Sequence, residues 1–428
     1  MSMMRSRLLL FAFAIAVAWW TADTAWSHLR HYPADNWQSD LWADAAGYHV
    51  YLPGLFHHGM RARGWQAGAD SLHGLGFQLD VERDRVLTKY TCGVALLQLP
   101  AYLFAECATD GAYHDGFADE HRRAMEIGAA IYWSTGMLLL AIGLMKRWGG
   151  AWWQAALAVA LIGFGSNAAY YAVRQPGASH VYSFFLLSAS IGLLLTGLGN
   201  STWKRRAFHL GCALIILIRP VDALAVAALW AWLRLDRDPL LEKSSFWIGQ
   251  LVTLAIVSVP QLLYWRFAYG DWVVYSYGDE GFTNWAAPEV SNFLFSPGNG
   301  WLPYTPVLVP AVLGFFAMSG SASRHGALIL VLLFSAVIIS ASWHMWNYGC
   351  SFGARPMAQY MPFLAFPLHA LLRSHGHWLR RARALFVPIT LVAAFLLLRV
   401  ALEYDVCYEG ELDDWSIYRS MVRKAMPW

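Results

Sequence analysis

Charge is what this chain has least of. Only 14% of its 428 residues are Asp, Glu, Lys or Arg, against about 25% in soluble globular proteins. That deficit excludes a solvated globular domain as the main body. The five cysteines, Cys92, Cys107, Cys212, Cys350 and Cys407, have no Cys-x-x-Cys spacing. They point to neither a zinc ribbon nor a disulfide framework, and leave room for one bridge outside a membrane. Internal repeats, low-complexity tracts and a long soluble segment are also missing. The net charge is only +3 and no basic stripe is interleaved with aromatics, so no nucleic-acid partner is expected. His57-His58 and His375-x-His377 lack a third ligand nearby, so neither a metal nor another cofactor is expected.

Apolar and aromatic residues fill the space. The chain is 57% hydrophobic, with 23 Trp, 23 Phe and 20 Tyr, and apolar runs of membrane-spanning length recur from end to end. The expected fold class is all-α: a polytopic membrane protein of about eleven transmembrane helices, in one domain over 1–428, surrounded by membrane lipids. Leu8 to about Trp26 reads as an uncleaved first span rather than a signal peptide, because aromatics crowd its outer end. Arg5 and Arg7 put the N-terminus in the cytoplasm.

Residues 27–125 then form the first extracytoplasmic loop. Thr91 to Ala108 is apolar enough to cross, but Lys146-Arg147 ends the next span and wants the cytoplasm. Parity therefore makes Thr91–Ala108 a juxtamembrane helix, broken at Pro100. Further spans follow at Ala151–Tyr171, Val181–Leu198, Phe246–Phe267, Pro303–Met318, Ala327–Ser342, Met357–Leu372 and Ala384–Val400. Ala207–Trp232 is interrupted by Arg219-Pro220 and reads as two halves meeting outside, since discontinuous helices line polar cavities. Residues 269–302 and 402–428 become an outer loop and an outer tail.

This topology gathers Asp44, Lys89, Arg174, His180, Arg219, Asp222, His344 and Arg355 near the outer face, where ionisable groups at membrane depth are functional candidates. If Asp40–Leu52 is helical and stops at Pro53-Gly54, then Asp40, Asp44 and Tyr48 share one face. The plain alternatives are a solvated loop helix and arginines that snorkel or cap helix ends.

Asp44-Ala-Ala-Gly-Tyr48 resembles the Asp-x-x-x-Tyr of GT-C-type integral-membrane glycosyltransferases, the superfamily of the aminoarabinose transferases and protein O-mannosyltransferases. Lys89-Tyr90 with Gly93 and Pro100, Ser179-His180 through Phe185, Arg219-Pro220, Phe295 through Pro306, and Ser351-Phe-Gly-Ala-Arg-Pro356 resemble the bacterial branch. They occur in the expected order. Ala45 stands where many relatives carry a second acid, and the usual double proline after the lysine is absent.

The resemblance implies transfer of a sugar from a polyprenyl-phosphate donor to a hydroxyl of a glycan, lipid or protein acceptor, at the outer face of the inner membrane. It implies Asp44 as general base, and the chemistry needs such a base within reach of the acceptor. Cations are needed at the leaving phosphate, a role for Lys89, Arg219 and Arg355. Asp40, Tyr48, Tyr90, Arg174, His180 and His344 are further substrate-binding candidates. Trp285, Trp301 and Tyr304 offer flat surfaces for a sugar ring, and a single displacement would invert the anomeric centre. A transporter or flippase also has many spans and broken helices, but is expected to bury charge at mid-membrane and to repeat itself.

Overall fold

The computed structural model describes residues 3–33, 35–108, 116–199, 201–406 and 414–426. The polypeptide begins with α1 (Met3–Leu29) and then builds a small outer assembly from α2 (Asp44–His49), α3 (Tyr51–Phe56), α4 (Ala69–Leu72), the hairpin β1 (Gln78–Asp80) and β2 (Arg85–Leu87), and α5 (Gly93–Ala108). The bundle continues with α6 (Asp119–Trp148), α7 (Trp152–Phe164), α8 (Ala168–Val173), α9 (Ser179–Leu195), α10 (Thr202–Ile218), α11 (Ala223–Leu235) and α12 (Ser244–Ala268). After α13 (Val290–Phe295) come α14 (Leu308–Phe315), α15 (Ser321–Ala341), α16 (Met361–Arg373), α17 (His377–Leu402) and α18 (Trp415–Ala425). The protein is an all-α polytopic membrane fold. Among the described residues its sheet is a single antiparallel pair, Gln78–Leu87 to Asp80–Arg85.

Five helices, α1, α6, α12, α15 and α17, are each long and apolar enough to cross a membrane alone. The other expected spans fall on shorter helices: α7 with α8, α9, α10, α11, α14, and α16 with its preceding 3-10 turn. The count of eleven rests on treating those as crossings. Helix α12 turns Ile248, Leu251, Val252 and Ile256 outward, and α17 does the same with Ile389, Val392 and Phe395. Apolar side chains facing out suit lipid, where the backbone must satisfy itself within the helix.

Side-chain contacts sort the helix ends into two sets. At one end Lys146 donates to Thr196 O at 3.1 Å, and Arg147 and His325 both pair with Asp236, at 2.6 and 3.1 Å. Gln154 donates to Leu372 O there at 3.0 Å. At the other end Arg122, early in α6, donates to Leu29 O at the close of α1, and Arg174 donates to Leu402 O at the close of α17. The break at Arg219 belongs with this second set. Helices α10 and α11 are thus two halves that meet at Arg219-Pro220, with Lys204 and Asp236 both at the basic end.

Three expectations for the first loop need correction. Asp40 is not helical: the helix starts at Asp44. Pro53-Gly54 does not stop it, since α2 continues through Val50, itself α-helical, into α3 as far as Phe56. Past Pro53 the helical bonding resumes, Gly54 N–H donating to Val50 O at 2.8 Å. Pro100 does not break α5 either. Burial of Val94, Ala95, Gln98, Tyr102 and Ala105 holds that helix together, as tertiary packing commonly does.

Helix α5 lies against the first half of α6. Thr91 just before it donates to Ile218 O at the break, Tyr132 donates to Leu97 O, and His121 sits 3.0 Å from Glu106. Both ends of α5 therefore lie on the half of the bundle that carries the break.

Candidate active site

Asp44 opens α2 from a constrained backbone. Ala43 before it has φ 45°, a left-handed conformation unfavourable for a residue with a β-carbon. Ala43 is pinned there, its N–H donating to His73 O and its carbonyl accepting from Gly47 N, each at 2.9 Å. Gly47, one turn on, is a close-approach glycine. A β-carbon there would stand 2.3 Å from both the Tyr90 ring and Gly76 O. Only because that side is bare can Tyr90 lie across α2, and its hydroxyl donates to Asp44 Oδ1.

Arg355 takes the other oxygen: Nη1 lies 3.0 Å from Asp44 Oδ2, with the Asp44 side chain still 35% exposed. Burial alone would raise this carboxyl, but Arg355, the Tyr90 hydroxyl and the Lys89 charge outweigh it and hold Asp44 below the usual carboxylate range. The Tyr90 phenol is pushed well above its ordinary value, first by burial and then by the Asp44 charge. It stays a donor.

Lys89 is steered by the long outer loop. Its Nζ lies 2.6 Å from Glu280 Oε1 and faces the rings of Tyr90 and Tyr277 at 5.6 and 5.5 Å, a cation–π cradle. Tyr48 packs on Tyr90, ring centroids 4.5 Å apart, within the field of Arg219 and Arg355. Arg355 stands over the Tyr348 ring at 5.6 Å.

Arg219 is held by a buried relay. Its Nη1 donates to Gln359 Oε1 at 3.1 Å, and the Gln359 amide donates to both Asp222 oxygens at 2.9 and 3.0 Å. Tyr360 adds a third donor to Asp222 at 2.8 Å. His180 Nδ1 lies 3.2 Å from the same Gln359 oxygen. With a cation on its oxygen and a carboxylate on its nitrogen, the Gln359 amide has one orientation.

Of the residues singled out in the sequence, Asp44, Tyr48, Lys89, Tyr90, His180, Arg219 and Arg355 come together here. The others do not. Asp40 points away, fully buried, and pairs with Arg122 Nε at 2.7 Å, so the two acids do not share a face. Arg174 donates to Leu402 O and Tyr404 O at 2.8 and 3.3 Å, capping the end of α17. Tyr304 is fully buried, its hydroxyl donating to Pro297 O at 2.6 Å, and Trp301 is 7% exposed. Neither ring offers a face to a sugar. Trp285 stays exposed. His344 ties the long loop down, exchanging hydrogen bonds with Gly281.

Glu280, Tyr277, Gln359 and Tyr360 were missed. Gln359-Tyr360 sits four and five residues after Arg355 at the entrance to an apolar helix, and a glutamine there was the available signal. Glu280 had none, because its partner is 191 residues away in the chain. Cys350 is disulfide-bonded, Cys92, Cys107 and Cys212 are free, and Cys407 lies outside the described residues.

The fold matches the crystal structure of ArnT from Cupriavidus metallidurans bound to undecaprenyl phosphate, over 99% of this chain and 70% of that one, at TM-score 0.56 and 15% identity. The chain thus has a GT-C-type fold, as its motifs implied. No protein-family model and no curated protein matches the sequence.

Proposed function

We propose that this protein is a membrane glycosyltransferase that moves a sugar from a polyprenyl-phosphate donor to an acceptor hydroxyl, with inversion. One observation carries the proposal. An accessible carboxylate, Asp44, stands 3.0 Å from Arg355 and within the field of Lys89, on a fold shared with a protein solved with undecaprenyl phosphate bound. The location follows from the basic end of the bundle being cytoplasmic. The site is then extracytoplasmic and the N-terminus cytoplasmic, and the resemblance implies the inner membrane.

The acceptor oxygen attacks the anomeric carbon from the face opposite the phosphate. The C–O bond to phosphate breaks and its electron pair leaves with the lipid phosphate. The acceptor proton passes to Asp44. Negative charge grows on the leaving oxygen, so Arg355, Lys89 and Arg219 stabilise the transition state more than the ground state. Arg355 has two anions to choose from, Asp44 and the donor phosphate. When it turns to the phosphate, Asp44 loses the partner that lowers its pKa and becomes the better base. Donor binding would thereby switch the base on.

The test is to incubate purified protein with a panel of polyprenyl-phosphate sugars and acceptors and to measure polyprenyl phosphate release. Acceptor-dependent release that Asp44→Asn abolishes is the expected result. Movement of intact lipid-linked sugar across vesicles without any release would instead make the protein a transporter.

A further inference from the structure

A cavity of mixed polar and apolar lining lies at the basic end, at the far end of α16 from Arg355. It measures about 260 Å³ and is lined by Trp148, Met318, Phe366, His369, Arg373 and His375, among others. That is below the ~300–1,000 Å³ of pockets for drug-sized ligands, so it suits a single small group. We propose that this cavity binds a phosphate group, supplied by the headgroup of an anionic phospholipid.

The sign of the ligand follows from charge. No carboxylate lines the cavity, and the chain has no Asp or Glu between Glu289 and Glu403, a stretch that includes Arg373, Arg380, Arg381 and Arg383. Asp236, at this same end, is already engaged by Arg147 and His325. Among the described residues Arg373 has no carboxylate partner. The end of α16 would by itself repel an anion, but its last carbonyls are occupied. Leu371 O accepts from Ser374, and Leu372 O accepts from Gln154 and Arg383.

His369 is the independent observation. It lines the cavity, is fully buried, and neither ring nitrogen has a hydrogen-bond partner. Imidazole carries at least one N–H in any protonation state, and a buried donor left unmade costs about 1–3 kcal/mol. A phosphate oxygen in the cavity is the acceptor that donor lacks. Beside it, Phe316 and Trp378 are exposed and in ring contact, centroids 6.2 Å apart. An exposed tryptophan at a helix end marks the membrane interface. This apolar ledge gives acyl chains a path that a free phosphate ion would not use.

The experiment is thermal unfolding of the full-length protein in nanodiscs of phosphatidylcholine alone, or with phosphatidylglycerol. In a third arm inorganic phosphate is titrated into the phosphatidylcholine discs. Phosphatidylglycerol should raise the midpoint by a few degrees, Arg373→Gln and His369→Phe should each remove the rise, and Arg381→Gln, exposed and outside the cavity, should keep it. Native mass spectrometry should show a bound phospholipid retained by wild type and by Arg381→Gln but not by Arg373→Gln, which keeps the test informative if His369→Phe folds poorly. An Arg373-dependent rise with inorganic phosphate alone would overturn the lipid as source and leave a free-phosphate site. No rise in either arm, or equal loss in Arg381→Gln, would overturn the site.

Discussion

Arg355 Nη1 and Asp44 Oδ2 lie 3.0 Å apart, across 311 residues of sequence. This pair joins the candidate base to a candidate phosphate ligand, so neither side chain acts independently of the other. Removing Arg355 takes away the largest influence opposing burial at Asp44. Its carboxyl then moves up, and the acid limb of turnover against pH moves up with it. Arg355→Gln should therefore show a lower rate and an acid limb at higher pH than wild type. An unmoved limb would separate Asp44 from the observed titration. For stability the sign is the usual one for a depressed carboxyl. The contribution is complete above the unfolded carboxylate range and is lost as pH falls through the lower folded value.

Asp44→Asn and Asp40→Asn should fail in different ways. Asp44→Asn keeps the shape and loses the base, so turnover should drop about 10²–10⁴-fold while the protein stays folded. Asp40→Asn takes the buried carboxylate from Arg122 and leaves it the exposed Asp119 at 3.1 Å, a defect below the about 3–5 kcal/mol of a fully broken buried pair, so unfolding in detergent should fall before turnover does. Rates and melting curves measured side by side check both. Normal turnover by Asp44→Asn would move the base elsewhere.

Gly47→Ala should act on Asp44 without touching it. The new methyl would stand where the Tyr90 ring and Gly76 O now lie, so Tyr90 must withdraw and its hydrogen bond to Asp44 is lost. Activity should fall, as it should in Tyr90→Phe, and the double variant should be little worse than either. Full additivity in that cycle would mean the two changes act independently.

Gln359→Leu should release Arg219 from its relay and leave Asp222 short of donors. Leaving a buried polar group unsatisfied costs about 1–3 kcal/mol. Beyond that, the KM for donor should rise more than kcat falls, since Arg219 is expected on the donor phosphate. Gln359→Glu places a carboxylate against Asp222 and should be the worse folder. A Gln359→Leu enzyme with an unchanged KM would leave Arg219 without a role in donor binding.

The topology expectation is that Asp44, residues 269–302 and the C-terminal tail share the outer side, and that Thr91–Ala108 does not cross. Single cysteines in a cysteine-free background, probed with an impermeant thiol reagent on intact cells, should label the loop and tail but not 373–383. A reporter near Asp110, which lies outside the described residues, should be extracytoplasmic. A cytoplasmic signal there would turn α5 into a span.

The membrane class, the helical fold and the break at Arg219-Pro220 were legible in the chain itself, because hydropathy and backbone restriction are local. A bilayer forces each segment to satisfy its own backbone, so a spanning helix is written in about twenty consecutive residues. The resemblance of Asp44 through Tyr48 to the Asp-x-x-x-Tyr motif is what singles out Asp44 rather than Asp40 as the expected base. What each polar residue faces was decided by tertiary structure. Asp40 and Asp44 are four residues apart, yet the left-handed Ala43 sends one to Arg122 and the other to Arg355. Trp301 and Tyr304 looked like open rings and are packed inside, while Glu280 and Gln359 take up Lys89 and Arg219. Glu280, Gln359 and Arg355 lie roughly 140–310 residues along the chain from Lys89, Arg219 and Asp44. No local pattern spans such distances, and only packing of the helices brings those charges into contact.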